Sequence, residues 1–277
     1  MKFPFEKTLS QRNSALNGNI GLVLMPGDGW RFALMSSSGF RVPNVDDVGK
    51  VNDSKGKSQL LVVPNPELAP EYACNADLTI GKTFHKEFQC EITGFYTYLI
   101  DAIVMNPTTF NGKDSILYDG YMCQIQTNTN SGNASVYGLQ GNMLIQANPY
   151  FSIGNNLTWT YGRIKKENMP MDHIPPAFGQ TSFILDIKKF KGEFYVRYNA
   201  WKKLKDYSPS GEDNLQYATS QGMPSWVTFN LRTSYQINKC ICIQAGLENI
   251  MDEHYRVFAS GISAPGRNLI LAIRGNF

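Results

Sequence analysis

The 277-residue sequence has no long hydrophobic run: no stretch reaches the 18 or more apolar residues of a transmembrane helix, although hydrophobic residues make up 42% of it. The opening MKFPFEKTLSQRNSALNG also lacks the apolar centre of an export signal. Charge of one sign is missing too. With 26 basic and 23 acidic side chains the formal charge is +3, which gives a nucleic-acid partner no footprint. The short clusters Lys165–Lys166, Lys188–Lys189 and Lys202–Lys203 are expected in solvent-facing turns or at a membrane rim. Cys74, Cys90, Cys123, Cys240 and Cys242 carry no metal-ligand spacing. Cys240 and Cys242 would share one face of a strand, which leaves a disulfide or redox pair open. His85, His173 and His254 are far apart, and no nucleophile–base set or carboxylate pair stands at motif spacing. The expectation is a protein that is not an enzyme and has no cofactor.

What is abundant is aromatic and period-two. Aromatic residues form 12% of the chain, accompanied by 24 glycines. In Trp226–Ile237, Val227, Phe229, Leu231, Thr233, Tyr235 and Ile237 alternate with Thr228, Asn230, Arg232, Ser234 and Gln236. Ile241, Ile243, Ala245 and Leu247 continue the pattern against Cys242, Gln244, Gly246 and Glu248. Leu269, Leu271 and Ile273 repeat it near the end, as do Ile92, Gly94, Tyr96 and Tyr98, then Phe183, Leu185 and Ile187, then Phe194, Val196 and Tyr198. Alternation at this length is a strand signal.

The connections fall into two classes. Pro26–Gly29, Phe84–Lys86, Asn148–Pro149, Phe190–Gly192 and Ile237–Lys239 are short and turn-like. Between them lie polar stretches at roughly 39–70, 106–131, 167–177 and 207–222, with another at 251–264. This describes a meander of about eleven antiparallel strands with tight turns at one end and long loops at the other. Such loops are unusual in a compact soluble domain. A transmembrane β-barrel makes the asymmetry natural, with its apolar faces toward lipid and Arg197, Asn230, Arg232, Gln244 and Arg274 inside. The competing reading is a soluble or surface β-sandwich that binds a glycan or a protein through its loops. It predicts that the apolar faces pack internally.

Four segments carry a family likeness. Asn249–Phe277, NIMDEHYRVFASGISAPGRNLILAIRGNF, resembles the closing element of TonB-dependent outer-membrane receptors, through Asn249, Asp252, Tyr255, Gly266, Arg267 and a terminal Phe277. Ser37–Lys50 is similar to the family's "GFRAP" box, with Phe40, Arg41 and Pro43 in place and Val42 where alanine is usual. Asn65, Pro66, Leu68, Pro70 and Glu71 match its "NPxLKPE" box, with Ala69 for the usual lysine. Tyr137–Gln140, containing Gly138, stands where members start a strand with a "GVE"-like element.

The resemblance implies an all-β fold in which residues 1–277 form one partial domain, the C-terminal half of a barrel of about 22 strands, without the plug. It implies outer-membrane lipid as surroundings and the barrel-assembly machinery as reader of Phe277. The TonB complex would be a partner through a TonB box outside this chain. The cargo would be a scarce iron chelate, cobalamin, haem or glycan. No histidine occurs in Asn44–Pro64, which weakens the haem subclass. With plug, signal peptide and first barrel half expected to be missing, the chain reads as truncated, mis-started or one part of a split protein, unable to transport alone.

Overall fold

The computed structural model describes residues 13–49, 52–53, 59–85, 87–165 and 168–276. Eleven antiparallel strands form the main path of one sheet: β1 (Gly18–Gly27), β2 (Trp30–Arg41), β3 (Glu71–Phe84), β4 (Phe88–Pro107), β5 (Tyr121–Asn148), β6 (Phe151–Ile164), β7 (Phe178–Ile187), β8 (Phe190–Asn199), β9 (Trp226–Gln236), β10 (Ile241–Glu248) and β11 (Asn268–Gly275). Each pairs with its neighbour in sequence. The sheet does not close, because no pairing joins β1 to β11 among the described residues. Helix is confined there to α1 (Val45–Gly49) and two single 3-10 turns.

Burial runs opposite to that of a soluble sheet. On β9, Thr228 and Asn230 are 1% and 4% exposed, whereas Val227, Phe229 and Leu231 are 44%, 38% and 39% exposed. Large apolar side chains on β1, β3, β4, β7, β8, β10 and β11 are likewise exposed. Internal packing, which a sandwich requires, is not what these residues have. A contiguous apolar surface of this extent needs a cover, since soluble monomers rarely expose more than a few hundred Å² of it.

Aromatic rungs cross this face at two heights. Near the tight turns, Trp30 stacks on Phe32 at 5.6 Å and Phe84 meets Phe88 at 5.6 Å, with the Lys82 ammonium over Trp30 and Phe84. Nearer the loops, Tyr96, Tyr137, Tyr161 and Trp159 form a second cluster with centroid separations of 5.3 to 6.5 Å. On β4, Phe88 and Tyr96 are eight residues apart, so the two clusters stand roughly 27 Å apart along a strand.

The expected turns hold with local shifts. The hairpin predicted at Phe190–Gly192 turns instead at Lys188–Lys189: Ile187 pairs with Phe190, and Gly192 lies in β8 opposite Leu185. Lys188 takes the left-handed conformation at φ 51° that a two-residue turn demands. Cys240 precedes β10, so it does not share a strand face with Cys242, and all five cysteines are free thiols.

The larger correction concerns 106–131. It is mostly strand: β4 continues to Pro107 and β5 begins at Tyr121, forming an arm that rises past the neighbouring strands. The arm starts at an irregularity around Asp101, whose φ is 55°. Leu60–Val63 adds to it in parallel, opposite Gln124–Thr127, and Ser115–Tyr118 pairs with it antiparallel. Cys123, Ile125 and Thr127 are buried on one side of the arm. The period-two pattern thus persists through a polar, Asn- and Thr-rich stretch that reads locally as loop.

Candidate functional site: the loop end of the sheet

Three of the four motif segments converge at the end of the sheet that carries the long connections. Arg41 closes β2 and stands opposite Glu71, the first residue of β3. Its guanidinium bridges Glu71 and Asp47, reaching Asp47 Oδ2 at 2.5 Å. Asp47 is fixed in turn by a reciprocal cap on α1. The Asp47 N–H donates to Asn44 Oδ1 at 2.8 Å, and the Asn44 N–H donates to Asp47 Oδ2 at 2.9 Å. The second Glu71 oxygen accepts the Ile103 N–H at 2.5 Å, just beyond the Asp101 irregularity. Arg41 and Glu71 therefore tie together β2, β3, β4 and the first long loop. An isolated exposed pair contributes little; the backbone partners are what make this one a clamp. Phe40 is exposed and Pro43 buried.

The second segment docks on the arm. Asn65 donates to the Asn128 carbonyl at 2.8 Å and accepts the Glu67 N–H at 3.0 Å. Asn130 takes both groups of Ala69, accepting its N–H and donating to its carbonyl at 2.8 Å each, and Asn128 donates to the Asp47 carbonyl at 2.9 Å. Leu68 is buried, Pro70 half-buried and Pro66 exposed. Asn128 and Asn130 were missed in the sequence, where only their two-residue spacing on a shared strand face marks them.

Gly138 departs from expectation. It lies inside β5 and not at a strand start, paired with Phe95 and Thr160. A Cβ there would fall 2.1 Å from the Trp159 carbonyl oxygen and 2.7 Å from the Phe95 ring, so the site admits only glycine.

The last segment is a knot. Asn249 is 2% exposed and left-handed at φ 50°. Its N–H donates to Asn230 Oδ1 at 2.9 Å, its amide donates to the Glu253 and Pro265 carbonyls at 2.8 and 3.2 Å, and its Oδ1 accepts the Glu253 N–H at 2.9 Å. Asp252 Oδ1 accepts the Arg267 N–H at 2.7 Å, and a Cβ on Gly266 would sit 2.5 Å from that same oxygen. Arg267 Nε reaches back to the Ile250 carbonyl at 2.9 Å, and Tyr255 packs on Trp226 with centroids 4.3 Å apart. The two ends of the loop 249–267 are thus held together by side chains that the motif specifies. Phe277 lies outside the described residues.

Beneath this end, the polar face of the sheet is hydrogen-bonded. Glu248 accepts from the Tyr195 hydroxyl and from Arg232 at 3.1 Å each, and Asn230 donates to the Tyr195 and Thr228 carbonyls at 3.2 Å.

Above it, the last two long loops share a small core of Tyr207, Met223 and Phe258. Lys202, expected in a solvent-facing turn or at a membrane rim, is buried here, with its ammonium over Phe258 and donating to the Ile174 carbonyl at 2.6 Å. Burial holds it below the ordinary lysine range, opposed by the Asp213 and Asp206 charges. Burial, then Asp213, pushes the Tyr207 hydroxyl up. Asp213 accepts the His173 and Ser208 N–H groups at 2.7 and 2.8 Å. His254 borders a cavity between these loops. No group of three or more His, Cys, Asp or Glu among the described residues is placed to hold a metal.

A family model described as TonB dependent receptor-like, beta-barrel, matches residues 3–250, which leaves most of the closing knot beyond the matched stretch. No curated protein matches. Solved structures do. A variant of the ferric enterobactin receptor PfeA from Pseudomonas aeruginosa is 18% identical, with a TM-score of 0.74, 94% of this chain covered and 40% of that one. The siderophore receptor PirA from Acinetobacter baumannii is 16% identical, with a TM-score of 0.71 and coverages of 94% and 41%. The copper transporter OprC is 14% identical, with a TM-score of 0.72 and coverages of 94% and 39%. At these identities the likeness is one of fold. The chain spans about two fifths of the length of these solved relatives.

Proposed function

The chain belongs to the TonB-dependent receptor-like β-barrel family, a family of transporters and not of enzymes, and on that premise we propose that residues 1–277 form one partial barrel domain, a C-terminal portion of an outer-membrane wall. Its apolar face meets lipid, its tight turns face the periplasm and its long loops face outward. The inverted burial on β9 carries this reading, because a strand with Thr228 and Asn230 covered and Phe229 and Leu231 bare suits lipid and not water. The open edges of β1 and β11 support further strands beside them, since unpaired backbone is not tolerated in hydrocarbon. Eleven of about 22 strands would be present here.

In the completed receptor, the function is energy-coupled uptake of a scarce small molecule, an iron chelate foremost, with cobalamin, haem and glycans as further classes. The chain alone does not transport. The TonB complex acts through the completed receptor, and the barrel-assembly machinery inserts it. Siderophore and copper cargoes belong to the similar receptors named above, and their shared fold makes metal chelates the first substrates to test. Cells in which residues 226–248 are deleted from the gene should lose TonB-dependent uptake of one nutrient in a panel of single iron chelates, cobalamin, haem and oligosaccharides. Unchanged uptake across the whole panel would overturn the transport assignment.

A further inference from the structure

Two side-chain donors among the described residues are buried without any hydrogen-bond partner, Trp226 Nε1 and Arg256 Nη1. Both side chains line one cavity of about 240 Å³ between the loops 200–225 and 249–267. Native interiors leave few such groups unpaired, and two at one cavity call for an acceptor. We propose that this cavity binds an oxyanion carried on a flat aromatic group, an aromatic carboxylate being the simplest case, with Arg256 and Trp226 as its donors.

The surroundings fix the chemistry. The Arg256 guanidinium lies over the Tyr217 ring at 4.2 Å, and the Trp226 indole packs on Tyr255 at 4.3 Å. Both donor planes are therefore held before any ligand arrives, which lowers the ordering cost of binding. The described residues do not supply the acceptor itself, although Asp213 and the exposed Glu253 both line the cavity. Asp213 accepts the His173 and Ser208 N–H groups, one on each oxygen, and Ser263 Oγ faces the other guanidinium nitrogen, Nη2, at 3.4 Å. A guanidinium nitrogen with an indole N–H beside aromatic walls selects an anionic oxygen on a ring. The volume lies below the roughly 300–1,000 Å³ of sites for drug-sized ligands, so it suits a single ring of a larger molecule. Access from outside rests on the loop orientation proposed above.

Binding of 4-fluorobenzoate to the full 277-residue chain in detergent micelles, followed by fluorine NMR, tests this. Saturable binding is expected, weakened about tenfold or more by Arg256→Gln and several-fold by Trp226→Phe, which keeps a ring and removes the N–H. Arg256→Lys, which keeps the charge and loses the flat donor pair, should weaken it less than Arg256→Gln. Acetate and 4-fluorobenzyl alcohol, each lacking half of the recognised group, should bind at least tenfold more weakly. Equal affinity in the parent and both donor-deleting variants would overturn the proposal. So would acetate binding as tightly as fluorobenzoate, or no saturable binding. A nitroxide at Leu231 in the same samples separates the two readings. An apolar label environment without fluorobenzoate binding defeats this site alone, whereas an aqueous environment defeats the membrane placement.

Discussion

At the scale of residues, the loop end is held by polar side chains that each serve several backbone groups. Asn249 is the clearest case. Replacing it with alanine strands the Glu253 N–H and the Pro265 carbonyl and removes a residue suited to φ 50°. The expected cost is about 2 kcal/mol of local stability, roughly a 30-fold rise in opening of the loop 249–267. Limited trypsin digestion should show it as faster cleavage after Arg256, and an unchanged rate would mean that the knot does not hold the loop. Lys202 and Tyr207 give the neighbouring loop a pH signature. Lys202 titrates below 10.5 in the fold, so in the window up to 10.5 the unfolded chain binds more protons and stability rises with pH. Tyr207 titrates above 10.0, so beyond that value the folded chain keeps a proton the unfolded one has lost, and stability falls. Lys202→Met should abolish the rise and leave the fall, read as near-UV circular dichroism midpoints in urea across pH 8 to 11. The knot could be read in the sequence because Asn249, Asp252, Gly266 and Arg267 form a motif. Asn128, Asn130 and Asp213 could not, because their value lies in which distant backbone groups the fold brings to them.

At the scale of elements, each strand is a two-sided sorting device, and its period of two puts that sorting directly into the sequence. A charge introduced on the apolar face should therefore be costly and one on the polar face cheap. Leu231→Arg is expected to lose about 2–4 kcal/mol of folding stability in bilayers, and Ser234→Arg less than about 1 kcal/mol. Equal losses in guanidinium unfolding titrations would show that the two faces meet the same medium. The arm formed by β4 and β5 was not legible in the same way. Its residues Gln126–Asn130 are turn-prone when read locally. All five are held as strand by Ile103–Pro107 of β4 on one side, and Gln126 and Thr127 also by Val62 and Val63 on the other, and both partners are non-local. The turn at Lys188–Lys189 lies a few residues before the place its local sequence predicts for a related reason: Gly192 looks like a turn residue but sits opposite Leu185 in the ladder.

At the scale of the molecule, the governing feature is a sheet with two open edges. Every residue of β1 and β11 is exposed, and each strand lacks a partner on one side among the described residues. Amides facing the open edges of β1 and β11 should exchange with solvent deuterium far faster than those shared between β7 and β8 when the chain stands alone in micelles. In a completed barrel the same edge amides should become protected. Slow exchange at both edges of the isolated chain would mean that the sheet is already closed.

The measurement that bears most directly on the membrane placement is a nitroxide scan through Val227–Gln236 in lipid bilayers, reading collision with oxygen against collision with a water-soluble nickel chelate. Labels at 227, 229, 231, 233 and 235 should collide mainly with oxygen, and labels at 228, 230, 232 and 234 should be shielded from oxygen or reached by the chelate. A profile with no period of two, or one in which Phe229 and Leu231 positions are reached by the chelate while Thr228 and Asn230 positions see oxygen, would contradict a wall that faces lipid with its apolar side.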